Sequence, residues 1–142
     1  MIVLDTNVVS EFMKADPDAT VVSWLHQQPS DEIWTSSITV FEIQYGLSIL
    51  PDGKRKRGLV HQFELALKLD FDGRILDFDA NAAMAAAEIS ANYKRAGQGS
   101  DVRDAQIAGI AAAKGWTLAT RNVKDFRFAG VKLVDPWNPG FE

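Results

Sequence analysis

Asp5, Glu42, Asp104 and Asp125 are the residues of this chain best suited to chemistry, because each stands beside a change in local pattern. Asp5 closes the apolar run Ile2-Val3-Leu4. Glu42 falls in the first turn of a helical period that follows Ile33-Trp34-Thr35-Ser36. Asp104 opens the helical stretch 102–114, and Asp125 follows the strand-like run 116–120. Singly, each has a plain structural use: a helix cap for Asp5, an acid at a helix N-terminus for Glu42 and Asp104, a turn residue for Asp125. Asp101, three residues before Asp104, is either the cap of that helix or a further carboxylate on its face. Together they imply more. Four clustered carboxylates repel one another, and a proton or a cation must offset that repulsion. Oxygen ligands select hard cations, Mg²⁺ or Mn²⁺, and such ions support phosphoryl chemistry.

Composition removes the alternatives. There is no cysteine, which excludes disulfides, thiolate metal sites and cysteine nucleophiles. The two histidines, His26 and His61, are far apart in sequence, which argues against a histidine-rich zinc site. Net charge is −4, and the four acids account for all of it, so the remainder is formally neutral. Local basic groups stand out in that remainder: residues 54–57, Lys94-Arg95, and Arg121, Lys124 and Arg127 around Asp125. The last three are candidates for holding a phosphate backbone, whereas the 54–57 run reads as a solvated helix face.

The elements that must position these residues alternate. Short strands are expected at 2–4, 33–36, 74–78, 116–120 and 131–134, from their apolar and β-branched content. Helices are expected from Asp5-Thr6-Asn7 onward, from Asp18 or Thr20, over 39–50, over 54–69, over 80–95 behind an Asp79 cap, and over 102–114. Gly97 and Gly115 mark helix stops. Strands alternating with helices, without hairpin signals, describe one α/β domain over residues 1–142 with a parallel sheet covered by helices. In such a sheet ligands bind beyond the carboxyl ends of the strands, where Asp5 lies. No run approaches the roughly 18 apolar residues of a membrane span, and the N-terminus lacks a basic lead, so a cytoplasmic protein is expected.

At this point the chain resembles the PIN-domain ribonucleases and, among them, the VapC-type toxins including the FitB-like members. The resemblance rests on Val3-Leu4-Asp5-Thr6-Asn7, on Ser36-Ser37-Ile38-Thr39-Val40-Phe41-Glu42-Ile43 with Tyr45-Gly46, on Asp104-Ala105-Gln106-Ile107-Ala108-Gly109-Ile110-Ala111-Ala112, and on Leu118-Ala119-Thr120-Arg121-Asn122-Val123-Lys124-Asp125-Phe126. These segments come in the family's order and span nearly the whole chain. The resemblance implies a three-layer α/β/α domain with a central, mainly parallel sheet of four to five strands. It also implies a Mg²⁺ or Mn²⁺ site cleaving single-stranded RNA through water activated by the ion. Carried over by motif, Asp5, Glu42 and Asp104 are the core metal ligands and Asp125 the fourth acid, with Thr6 and Asn122 as polar neighbours. Ser36 and Ser37 are weaker candidates for orienting a ligand. Such toxins are held by a small antitoxin, whose covering surface here is expected around Phe12, Trp24 and the 39–50 helix. A homodimer, or a hetero-oligomer with the antitoxin, is expected as well.

Three readings compete. A PIN-fold module that binds RNA or protein without cutting predicts lost acids, yet all four are present. A small-molecule phosphatase working through an aspartyl-phosphate wants a second aspartate two residues after the nucleophile, where Asn7 stands. A plain interaction module leaves the four-acid coincidence unexplained.

Overall fold

Leu4 and Val3 are neighbours in sequence but belong to opposite cores, and that fact organises the molecule. The computed structural model describes residues 1–140; Phe141 and Glu142, the end of the expected domain, lie outside the described residues. Strand β1 (Ile2–Leu4) sits at the centre of a five-stranded sheet of order β3-β2-β1-β4-β5. Its partners are β2 (Ile33–Ser36) and β4 (Thr117–Ala119), with β3 (Ile75–Leu76) and β5 (Leu133–Val134) at the edges. Every pairing is parallel. Successive strand residues face opposite sides. Val3 and Leu118 therefore pack with Ile89, Tyr93, Ile107 and Ile110 from helices α5 (Ala80–Arg95) and α6 (Val102–Lys114). Leu4 and Ala119 pack on the other side with residues of α1 (Thr6–Phe12), α2 (Ala19–His26), α3 (Ser37–Ser48) and α4 (Lys54–Leu65). The expected helix–sheet–helix layering is what the chain builds.

Strand order reverses about β1. The chain steps outward through β2 and β3, then returns to lay β4 on the opposite flank. Between the carboxyl ends of β1 and β4 lies the crevice where open parallel sheets take their ligands. Asp5 and Thr120 are the first residues past those two ends.

Local chemistry moves several expected boundaries. Helix α3 starts at Ser37 rather than Thr39, because the Ser36 hydroxyl accepts the Thr39 N–H at 3.1 Å. The expected helix over 54–69 divides: α4 ends at Leu65 and a wider turn follows over Ala66–Asp70. That turn delivers Phe71 into the core at 1% exposure, and Asp72 and Gly73, both at positive φ (48° and 77°), redirect the chain into β3. The strand expected over 74–78 narrows to two residues because the Phe78 N–H donates to the Ser37 hydroxyl, 3.1 Å, instead of to the sheet. Trp24 is buried in the core, which removes it from the expected antitoxin-covering surface; Phe12 is partly buried.

Helices α5 and α6 approach closely at Gly109. A Cβ there would lie 2.6 Å from the Ala82 carbonyl oxygen and 2.8 Å from both the Cβ and the N of Ala86. Two of those three atoms are backbone and cannot yield without moving a helix. Gly109→Ala is therefore expected to destabilise the fold by about 2 kcal/mol despite alanine's better helix propensity, and a urea midpoint measurement checks it. Because α6 also carries Asp104, the same variant should disturb the crevice.

Candidate active site

The crevice is a cavity of about 420 Å³ whose wall includes Asp5, Thr6, Asn7, Glu42, Asp104 and Asn122. Four elements contribute. Asp5 is 4% exposed at the junction of β1 and α1, where its own N–H donates to the Ala119 carbonyl of β4 at 2.8 Å. Its carboxylate takes two donors: the Thr6 N–H at 2.8 Å on Oδ1 and the Thr120 hydroxyl at 2.7 Å on Oδ2. The capping role and the cavity position thus coexist in one side chain.

Glu42 comes from the first half of α3. The Thr6 hydroxyl donates to its Oε1 at 3.0 Å and also lies 3.1 Å from the Thr39 hydroxyl, itself 3.4 Å from Ser36 Oγ. A chain of hydroxyls therefore links the N-termini of α1 and α3 and aligns Glu42 with Asp5. Arg103 Nη1 stands 3.7 Å from Glu42 Oε2, and its guanidinium lies 5.7 Å from the Phe41 ring centroid.

Asp104 sits in the first turn of α6. Asp101 is the cap of that helix, accepting the Arg103 and Asp104 N–H groups at 2.9 and 3.2 Å. It lies outside the cavity wall but adds its charge to Asp104. Asp125 also stays outside. It belongs to a short turn over Val123–Phe126 and faces a narrow cleft beside Asp104 and Tyr93, whose hydroxyl donates to the Asp125 carbonyl. Ser36 and Ser37 line neither space: Ser36 caps α3, and Ser37 ties the chain after β3 to it.

The acids of this region act on one another through their charges, Asp125 included. Burial pushes the Asp5 carboxyl above the usual range; the Thr120 and Thr6 hydrogen bonds pull it back in part, and the charges of Glu42 and Asp125 push it up again. Asp104 is pushed up to about 7, first by burial and then by Asp5, Asp101, Glu42 and Asp125. Among the described residues, no three acidic or histidine side chains stand close enough to share one cation as they lie. A second cavity of the same volume, beside α2, is lined by Phe12, Val22, Leu25 and Phe71 with Asp70 as its sole acid. Clustered titratable chemistry belongs to the first.

Thr120 is the residue that sequence reasoning treated only as a strand end. It is fully buried, donates to Asp5 and accepts the Asn122 N–H at 3.1 Å, so it sets both the carboxylate and the following turn. Thr120→Val keeps the shape but strands Asp5 Oδ2 and that N–H. Its expected cost is about 2 kcal/mol at pH 8 and shrinks as the pH is lowered, since burial favours the protonated form of Asp5; denaturant unfolding across a pH series tests this.

Fold and cavity together define a class, and comparison with known proteins agrees. The profile of the PIN domain family matches residues 2–131, and the chain belongs to that family. Within the family its resemblance is to the VapC-type, FitB-like members. It is 39% identical to the VapC ribonuclease Y4jK of Sinorhizobium fredii, covering 98% of this chain and 99% of that one. It is 37% identical to the toxin FitB of Neisseria gonorrhoeae, covering 97% and 99%. The crystal structure of FitAcB from Neisseria gonorrhoeae superposes with a TM-score of 0.88 at 37% identity, over 96% of this chain and 99% of the other. No helix among the described residues is long and apolar enough to cross a membrane.

Proposed function

We propose that this chain is a Mg²⁺- or Mn²⁺-dependent endoribonuclease that cuts single-stranded regions of RNA, and that it acts as the toxin of a type II toxin–antitoxin pair. The observation that carries the reading is the convergence of Asp5, Glu42 and Asp104 on one cavity at the sheet's switch point, where burial and then the neighbouring carboxylates push the Asp104 carboxyl up to about 7. The donor set fits a hard divalent cation: the acids offer only oxygen, and their mutual repulsion is what such an ion relieves. Asp5 and Asp104 would hold it, Glu42 would complete the set, and Asp125, one cleft away, would assist a second ion. When bound, the ion supplies an acidified water and charge stabilisation at the phosphate.

The chain's own residues prepare that site. Thr120 and the Thr6 N–H hold both oxygens of Asp5, so the buried carboxylate has one orientation. Thr6 holds Glu42 through its hydroxyl. Asn7 and Asn122 line the wall as uncharged donors that a phosphodiester tolerates where a further acid would repel it. The toxin reading is supported by the relatives named as a toxin and a VapC ribonuclease. A small antitoxin would cover the acidic cavity. A second copy, or the antitoxin, has an outward stripe to meet, Phe41 and Tyr45 of α3 with Ile49 just past its end, each more than half exposed.

The test is cleavage of a structured RNA pool by the purified, partner-free chain with Mg²⁺ or Mn²⁺ and an EDTA control. Cutting that requires the metal supports the reading. Failure to cut, with no metal binding by calorimetry, would favour a PIN-fold module that binds without catalysis.

A further inference from the structure

Arg121 and Trp137 reach the acidic cavity from two segments that carry none of its acids. Arg121 lies on the turn after β4, and its backbone N–H donates to Asn7 Oδ1 at 3.4 Å. Trp137 lies just past β5, where the Asp135 carboxylate accepts its backbone N–H at 2.9 Å. The indole packs against the core that contains Leu4 and Ala119. The Arg121 guanidinium carbon stands 4.9 Å from the indole ring centroid, within cation–π range.

Two cations line this cavity, and they differ in availability. Lys14 is paired with Glu11 at 2.9 Å. Arg121 makes no salt bridge among the described residues. An aromatic face orients a guanidinium without using its N–H donors, which lie in the guanidinium plane and remain able to grip two oxygens at once. Lys124 and Arg127, the other basic residues near Asp125, do not line the cavity, and Arg127 stands over Phe128 at 5.0 Å. Glu11, also on the wall, is neutralised by Lys14, which leaves Asp5, Glu42 and Asp104, and a polyanion entering beside those three needs a fixed positive group. Arg121 is that group.

We propose that Arg121 binds a backbone phosphate flanking the one that is cut, and that Trp137 is a positioning residue that holds the guanidinium for it. This rests on the ribonuclease reading above. The experiment uses a fluorescein-labelled poly-uridine RNA, with anisotropy measured across a salt series on the full chain carrying Asp5→Asn. Arg121→Ala is expected to weaken binding about tenfold and to flatten the plot of log affinity against log salt by about 0.7, the share of one phosphate contact on a single strand. Arg121→Lys should keep the slope but recover only part of the affinity. Trp137→Phe should bind like its parent, and Trp137→Leu about threefold more weakly. With Asp5 intact, Arg121→Ala should raise KM more than it lowers kcat. Circular dichroism checks folding, and Arg121 is exposed, so its variants are readily compared. An Arg121→Ala chain with the parent's affinity and slope overturns the proposal and leaves the ribonuclease reading standing. If the unsubstituted chain neither binds nor cuts RNA, both fall.

Discussion

Asp5→Asn should abolish RNA cleavage, by about a thousandfold or more, while leaving the fold intact. Asparagine matches the shape of aspartate and keeps Oδ1 as acceptor for the Thr6 N–H. Its amide can donate to the Thr120 hydroxyl, which then turns to accept. Burial already disfavours the Asp5 charge, so removing it costs the native state little and relieves Asp104 and Glu42 of a repulsive neighbour. Activity and stability should therefore separate: cleavage lost, thermal midpoint equal or higher. Asp5→Ala is the contrasting variant, since it also deletes the cap and strands Thr120, and a loss of about 1–3 kcal/mol is expected from it. Full, EDTA-sensitive cleavage by Asp5→Asn would remove this carboxylate from the proposed metal site.

Stability of the metal-free chain should fall as pH rises from 5 to 8, and Mg²⁺ or Mn²⁺ should reverse the fall. The sign follows from the raised carboxyls. Asp104 titrates at about 7 in the folded protein against an ordinary value of 3.8, and Asp5 is shifted in the same direction. Between those limits the native state holds protons that the unfolded chain has released, so stability declines with pH and the whole penalty is present above 7. Glu11 is shifted the opposite way by the Lys14 and Asp18 hydrogen bonds, so its effect lies at lower pH and does not mask the trend. Thermal melts in EDTA should drop by several degrees over the interval. A divalent cation that replaces the proton should raise the midpoint more at pH 8 than at pH 5.5, because binding at the lower pH must first expel the proton. Asp104→Asn should flatten both dependences. A metal-free midpoint that rises from pH 5 to 8 contradicts the coupling of these acids.

Much of this was legible in the residues, for identifiable reasons. The caps were local: Asp79, Asp101 and Gly115 serve as a reader of short-range chemistry expects. The acids at chain turns were legible because strand ends and helix starts are themselves local signals. Spatial relations were less so. Nothing near Thr120 in sequence announces a partner 115 residues away, yet its hydroxyl sets the Asp5 carboxylate. Arg121 could be named as basic, but its separation from Lys124 and Arg127 depends on Trp137, which reaches it across β5. The break of the 54–69 helix was hidden for the same reason. Its apolar period continues past Leu65, and only the burial of Phe71 decides where the helix must yield.

The central place of β1 has a consequence for how the molecule is made. Strand β1 waits for β4, which begins only at Thr117, since β4 supplies the Ala119 carbonyl and the residue after it the Thr120 hydroxyl that hold Asp5. Until that segment emerges, Asp5, Glu42 and Asp104 hang on separate pieces of an unfinished sheet, and the long loops between them delay closure. On the ribonuclease reading, a growing chain is inert toward RNA at the ribosome, itself built of RNA, until β4 and Thr120 have emerged.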